Sequence, residues 1–95
     1  MDKTSLEIRD EIVERLNRQG YFTKSYLDED GTRHVTVIKT NDDVYSSSVD
    51  YQLRRIKAAA PEFNFSYFSK RVEQSSSFIF YGVDIVITRR RSSGN

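Results

Sequence analysis

Cysteine is absent from this 95-residue chain, and there is a single histidine, His34. Without thiols there can be no disulfide, thiolate nucleophile or iron–sulfur cluster. One imidazole cannot build an ordinary structural zinc site, which needs several soft or nitrogen ligands. Stability therefore has to come from packing alone, and a cysteine-free chain suits a reducing compartment. Long hydrophobic runs are missing too: no stretch approaches the roughly 20 apolar residues of a membrane span, and Met1-Asp2-Lys3-Thr4 lacks the basic and apolar parts of a signal peptide. The expectation is a cytoplasmic protein with no membrane association. The four glycines are scattered, so no loop cradles phosphate, and no cofactor is expected. Charge of one sign is also lacking, since the net value is only +1.

What the chain does have is an uneven distribution. Residues 1–50 hold 7 basic against 11 acidic side chains, whereas residues 51–95 hold 8 against 3. Aromatic rings gather in the same basic half, at Phe63, Phe65, Tyr67, Phe68, Phe78, Phe80 and Tyr81. The length supports one core, with a single domain over 1–91 and a frayed tail over 92–95.

Periodicity supplies the elements. Thr4 to Gln19 reads as a helix, with Thr4 and Glu7 at capping-box spacing, Gly20 as the stop, and Leu6, Ile8, Ile12, Val13 and Leu16 on one side. Its outer side carries Glu11 with Arg15 and Glu14 with Arg18 at i, i+4 spacing. Tyr21–Asp28 and Thr32–Thr40 read as a hairpin. Asp30-Gly31, taken as a two-residue type I′ loop, would set Asp28 opposite Arg33, Tyr26 opposite Val35, Lys24 opposite Val37 and Phe22 opposite Lys39. After the polar turn Asn41-Asp42-Asp43 a second helix is expected, capped by Ser47 with Asp50 at the third position and ended before Pro61. Val49, Leu53, Ile56 and Ala60 form its inner stripe, which leaves Arg54 and Arg55 outside.

Two strands follow, Phe63–Val72 and Ser77–Arg90, joined through Glu73-Gln74-Ser75-Ser76. In the first, Phe68 breaks the alternation of Phe63, Phe65 and Tyr67, as a bulge or a change of apolar face would. In the second, Ile79, Tyr81, Val83, Ile85 and Ile87 form an unbroken apolar line, the expected core face. The other face runs Phe78, Phe80, Gly82, Asp84, Val86, Thr88 and Arg90.

The order is αββαββ. An α+β two-layer sandwich is therefore expected, with two helices on one face of a four-stranded antiparallel sheet; moving the last strand to the front gives βαββαβ, a permuted ferredoxin-like arrangement. The other sheet face is left uncovered. Some DNA-cutting enzymes share the αββαββ order, but the glycine-rich, acid-ending helix they use is missing.

That uncovered face carries the functional expectation. Aromatic rings stack on bases and arginines attract phosphates, so Phe78 and Phe80 with Arg54, Arg55, Lys57, Lys70, Arg71, Arg89 and Arg90 are the candidate nucleic-acid-binding residues, with single strands favoured. The alternative is a protein-interaction module, an assembly component or inhibitor that docks its sheet face or an edge strand on another protein or on a second copy. Catalysis and metal binding rank lowest. His34 has no nucleophile motif beside it, and the acidic groups Asp28-Glu29-Asp30 and Asp42-Asp43 lie in turns, where aspartate is favoured for backbone hydrogen bonding. The expectation is a non-enzymatic binding or regulatory module.

Overall fold

Helix α1 spans Ser5–Arg18 in the computed structural model, which describes residues 3–75 and 78–90; the expected tail 92–95 lies outside the described residues. The expected capping box closes α1: the Glu7 amide donates to the Thr4 hydroxyl oxygen at 3.2 Å, and the Thr4 amide donates to the Glu7 carboxylate at 3.1 Å. Gly20, at φ +92°, follows the cap residue Gln19 and supplies the left-handed turn that a side chain resists. Ile8, Ile12 and Leu16 are buried, Val13 is half-buried, and Leu6 is exposed instead of packed. On the outer side Arg18 pairs with Glu14, while Glu11 pairs with Lys3 in place of the expected Arg15.

Strands β1 (Phe22–Leu27) and β2 (Arg33–Ile38) form the expected hairpin, but in a different register. Tyr26 stands opposite His34, Ser25 opposite Val35, Lys24 opposite Thr36 and Thr23 opposite Val37. The reason is the loop. The Gly31 amide donates to the Asp28 carbonyl and the Asp28 amide to the Thr32 carbonyl, both at 3.0 Å, so residues 29–31 form a three-residue loop. Gly31 has φ +84° and Asp30 does not share the positive φ that a type I′ turn demands at both central positions. One extra loop residue moves every partner by one, and side chains of β1 change faces relative to β2. Val35 and Val37 are buried on the helix side, where Thr23 and Ser25 are half-buried; Phe22, Lys24 and Tyr26 lie on the open side with His34, Thr36 and Ile38.

Helix α2 runs Ser46–Ala59, with Tyr45 and not Ser47 at its cap and no side-chain hydrogen bond there. The preceding loop fixes this start. The Val44 amide donates to the Tyr81 carbonyl at 2.7 Å and the Tyr81 amide donates to Asp43 at 2.9 Å, so the chain is pinned before the serines begin. The inner stripe Val49, Leu53, Ile56 and Ala60 is buried as expected.

Strands β3 (Phe63–Ser75) and β4 (Phe78–Arg89) complete an antiparallel sheet of order β1-β2-β4-β3. Placing β4 first converts this to the ferredoxin-like strand order, and both helices cover the same face. Pairing is regular through Phe68, which simply points to the open face; the one irregularity lies between Glu73 and Ser75. Val83, Ile85 and Ile87 join the core, but Ile79 and Tyr81 do not: they are 43% and 48% exposed. β4 continues past the end of β2, whose pairing stops at Val83.

Candidate functional site on the open sheet face

The strand registers sort the open face into rows. Phe22, Ile38, Gly82 and Lys70 lie roughly side by side across the four strands, followed by Lys24, Thr36, Asp84 and Phe68, then by Tyr26, His34, Val86 and Ser66. Among the described residues three rings are open to solvent on this face: Phe22 at 58%, Phe68 at 56% and Tyr26 at 38% exposure. Phe22 and Phe68 stand three strand spacings apart across the sheet, about 14 Å, and one row apart along it, so each would meet a separate group of any ligand laid across the sheet. Gly82 marks the tightest approach, because a Cβ there would lie 2.5 Å from the Val37 carbonyl oxygen and 2.9 Å from the Ile38 side chain.

At the centre of the face is a polar cluster that ties three strands together. Asp84, on β4, accepts from the Thr36 hydroxyl and the Tyr26 phenol at 3.2 Å each, and its other oxygen lies 2.8 Å from His34 Nδ1. His34 Nε2 lies 2.8 Å from Asp28 at the end of the hairpin. Tyr26 stacks on the imidazole with ring centroids 4.7 Å apart, and the Lys70 ammonium sits over the Tyr26 ring at 5.4 Å while donating to Thr36 at 3.3 Å. The side chains of His34 and Asp84 are each only 13% exposed.

This geometry shifts the titration of two groups. Burial pulls the His34 pKa down, but hydrogen bonds and charge from Asp84 and Asp28 outweigh it and leave the imidazole more basic than usual. Burial, with help from Asp84, raises the Tyr26 phenol. Each ring nitrogen lies within hydrogen-bond distance of a carboxylate oxygen, which favours the protonated ring as donor to both. A general base needs a free ring nitrogen, and here both nitrogens are engaged. The arrangement cross-links the sheet, with two carboxylates set against one imidazole. Tyr67 lies on the helix side, where burial first and Asp50 second raise its phenol.

The sequence-derived candidates do not gather on one surface. Lys70 and Phe80 belong to the open face; the Phe78 side chain lies outside the described residues. Arg54, Arg55 and Lys57 are exposed on α2, in the helix layer, with Arg54 3.5 Å from Asp50 and over the Tyr51 ring at 6.0 Å. Arg71 faces the opposite side from Lys70 by strand alternation, and Arg89 lies over Phe63 at 5.7 Å. Arg90 follows β4, its amide bonded to the Glu62 carbonyl at 2.6 Å.

Sequence reasoning passed over Phe22, Lys24, Tyr26, Thr36, Phe68 and Asp84 as site residues. One signal was present: Asp84 is a lone carboxylate inside an apolar strand, and a carboxylate placed there needs a partner, for which the sole histidine is an obvious candidate. No group of His, Asp or Glu able to hold a metal ion occurs among the described residues, and no helix among them is long and apolar enough to cross a membrane. Compared with protein-family models, curated proteins and solved structures, the chain matches none significantly.

Proposed function

We propose that the protein is a small non-enzymatic binding module that holds single-stranded nucleic acid on its open sheet face, in a cytoplasmic setting. One observation carries this reading: Phe22, Tyr26 and Phe68 are exposed on the face that no described helix covers, interleaved with Lys24 and Lys70. Rings of this kind stack on bases without regard to sequence, and ammonium groups beside them meet the phosphate backbone. The arginines of α2 lie in the other layer and take no part in this contact.

The test is a fluorescence-anisotropy titration with single-stranded and duplex oligonucleotides across a salt series. Binding should favour the single strand, weaken steeply as salt rises, and lose about 1–3 kcal/mol on Phe68→Ala. Lys70→Glu should reduce both affinity and salt slope. Absence of binding at low salt would sink the proposal.

A second reading, a protein-interaction module or homodimer, is favoured by a different observation: Ile79 and Tyr81 are exposed apolar residues on the part of the β3–β4 ribbon that runs beyond the end of β2. Association through them would be nearly insensitive to salt and visible in sedimentation.

A further inference from the structure

The helix layer contains a cleft that the open-face reading does not use. It is a shallow groove, widely open to solvent, of about 320 Å³ between α1 and α2, lined by Lys3, Glu11, Glu14, Arg15, Arg18 and Arg55, with Ile56 and Ala59 as its apolar part. That volume lies at the lower end of the range for small-molecule sites, larger than a bare ion requires. Four cations face two carboxylates, and both carboxylates are already taken: Glu11 by Lys3, and Glu14 by Arg18 at 2.6 Å. Two guanidinium groups remain, one from each helix. The Nε of Arg15 is buried with no hydrogen-bond partner, and Arg55 makes no ion pair among the described residues.

A buried N–H that has lost water without gaining an acceptor is costly, and folded proteins leave few of them. An acceptor placed in the cleft would remove that cost. The surplus of two positive charges matches a phosphate dianion, and the planar guanidinium fork matches its oxygens better than an ammonium does.

We infer that this cleft binds the phosphate group of a small phosphomonoester or diphosphate, with Arg15 and Arg55 as its principal donors. Lys3 and Arg18 neutralise the flanking glutamates, so the anion does not meet bare carboxylates. The site is independent of the nucleic-acid surface, because α1 and α2 lie on the other side of the sheet.

The test is the melting temperature of the full chain at constant ionic strength, with pyrophosphate, adenosine 5′-monophosphate and, as control, adenosine. A saturable rise of roughly 5–10 °C is expected with pyrophosphate at about ten times its Kd. Adenosine monophosphate should raise it too, and adenosine should not. Arg55→Ala, at an exposed position, should fold normally and abolish the rise, as should Arg15→Gln; Arg54→Ala, which lies outside the cleft lining, should keep it. The inference is overturned if no saturable rise occurs, or if the rise survives in both cleft variants. An oligonucleotide without terminal phosphate offers only monoanionic diesters, so an Arg55-dependent rise with that probe alone would overturn the phosphomonoester assignment. Loss of oligonucleotide binding in Phe68→Ala, with the pyrophosphate response intact, separates this site from the open face.

Discussion

One strand pair, β3 with β4, passes through two environments. From Val83 to Ile87 the inward residues of β4 are at most 3% exposed, covered by the helices and flanked by β2. At Ile79 and Tyr81 the same alternation continues, yet nearly half of each side chain meets solvent. β3 and β4 have 13 and 12 residues while β1 and β2 have 6 each, so the outer part of the ribbon has no third strand beside it. Apolar periodicity identifies which face of a strand turns inward. How far along the strand that face is covered depends on other elements, here the length of β2 and the reach of two 14-residue helices. Gly82 sits at the border, where an added Cβ would meet the Val37 carbonyl oxygen at the end of β2.

The sharpest break of this contrast is expected at Ile85, which is fully buried among the residues that join both helices to the sheet. Ile85→Ala removes three methyl or methylene carbons there and leaves a cavity that the surrounding core fills only in part. A loss of about 2–5 kcal/mol is expected, read from the midpoint of urea unfolding at unchanged slope. A loss under about 1 kcal/mol would mean that the covered half is no better packed than the free one.

Much of this architecture is legible in the sequence, because local chemistry states it. Thr4 and Glu7 announce the first helix by reciprocal hydrogen bonding, and Val49, Leu53, Ile56 and Ala60 declare the inner side of the second. The hairpin register is not legible from Asp30-Gly31, since a glycine at that place serves a two-residue and a three-residue loop equally, and the two differ by one step of register. The cap of α2 depends on Asp43 and Val44 meeting Tyr81, a contact between distant parts of the chain. The central cluster is hidden for the same reason: His34 and Asp84 are 50 residues apart and meet only when β2 pairs with β4. Convergence of the basic residues was likewise a question of layer, and strand and helix assignments alone place Arg54 and Lys70 on opposite sides.

His34 offers a second, smaller contrast, within the covered half and between pH values. Its pKa is raised in the folded state, so the stabilisation from its two carboxylate partners is fully present below the unfolded value near 6.5. It is lost as pH rises through the higher folded value. Stability should therefore fall on going from slightly acid to alkaline solution. The groups facing the imidazole are Asp84, Asp28, Tyr26 and, across the Tyr26 ring, Lys70. His34→Gln should cost about 1–2 kcal/mol on the acid side and flatten the profile, as measured by urea unfolding across the pH range. A profile with unchanged slope in the variant would assign the pH dependence to another group.

The smallest effect belongs to the outer ribbon. Ile79 carries the same side chain as Ile85, on the same face of the same strand, six residues away. If periodicity alone decided its contribution, the two alanine variants would cost alike. Ile79 is 43% exposed, so the truncation removes little buried area and leaves no enclosed cavity. Ile79→Ala is expected to change stability by no more than about 0.5 kcal/mol in dilute solution. The measurement gains a second use when repeated over a range of protein concentrations. A cost that grows with concentration would show that Ile79 is buried against a second copy, which would favour the interaction reading of the ribbon; a small and constant cost leaves it a free arm, stable because β3 and β4 are anchored at their covered ends.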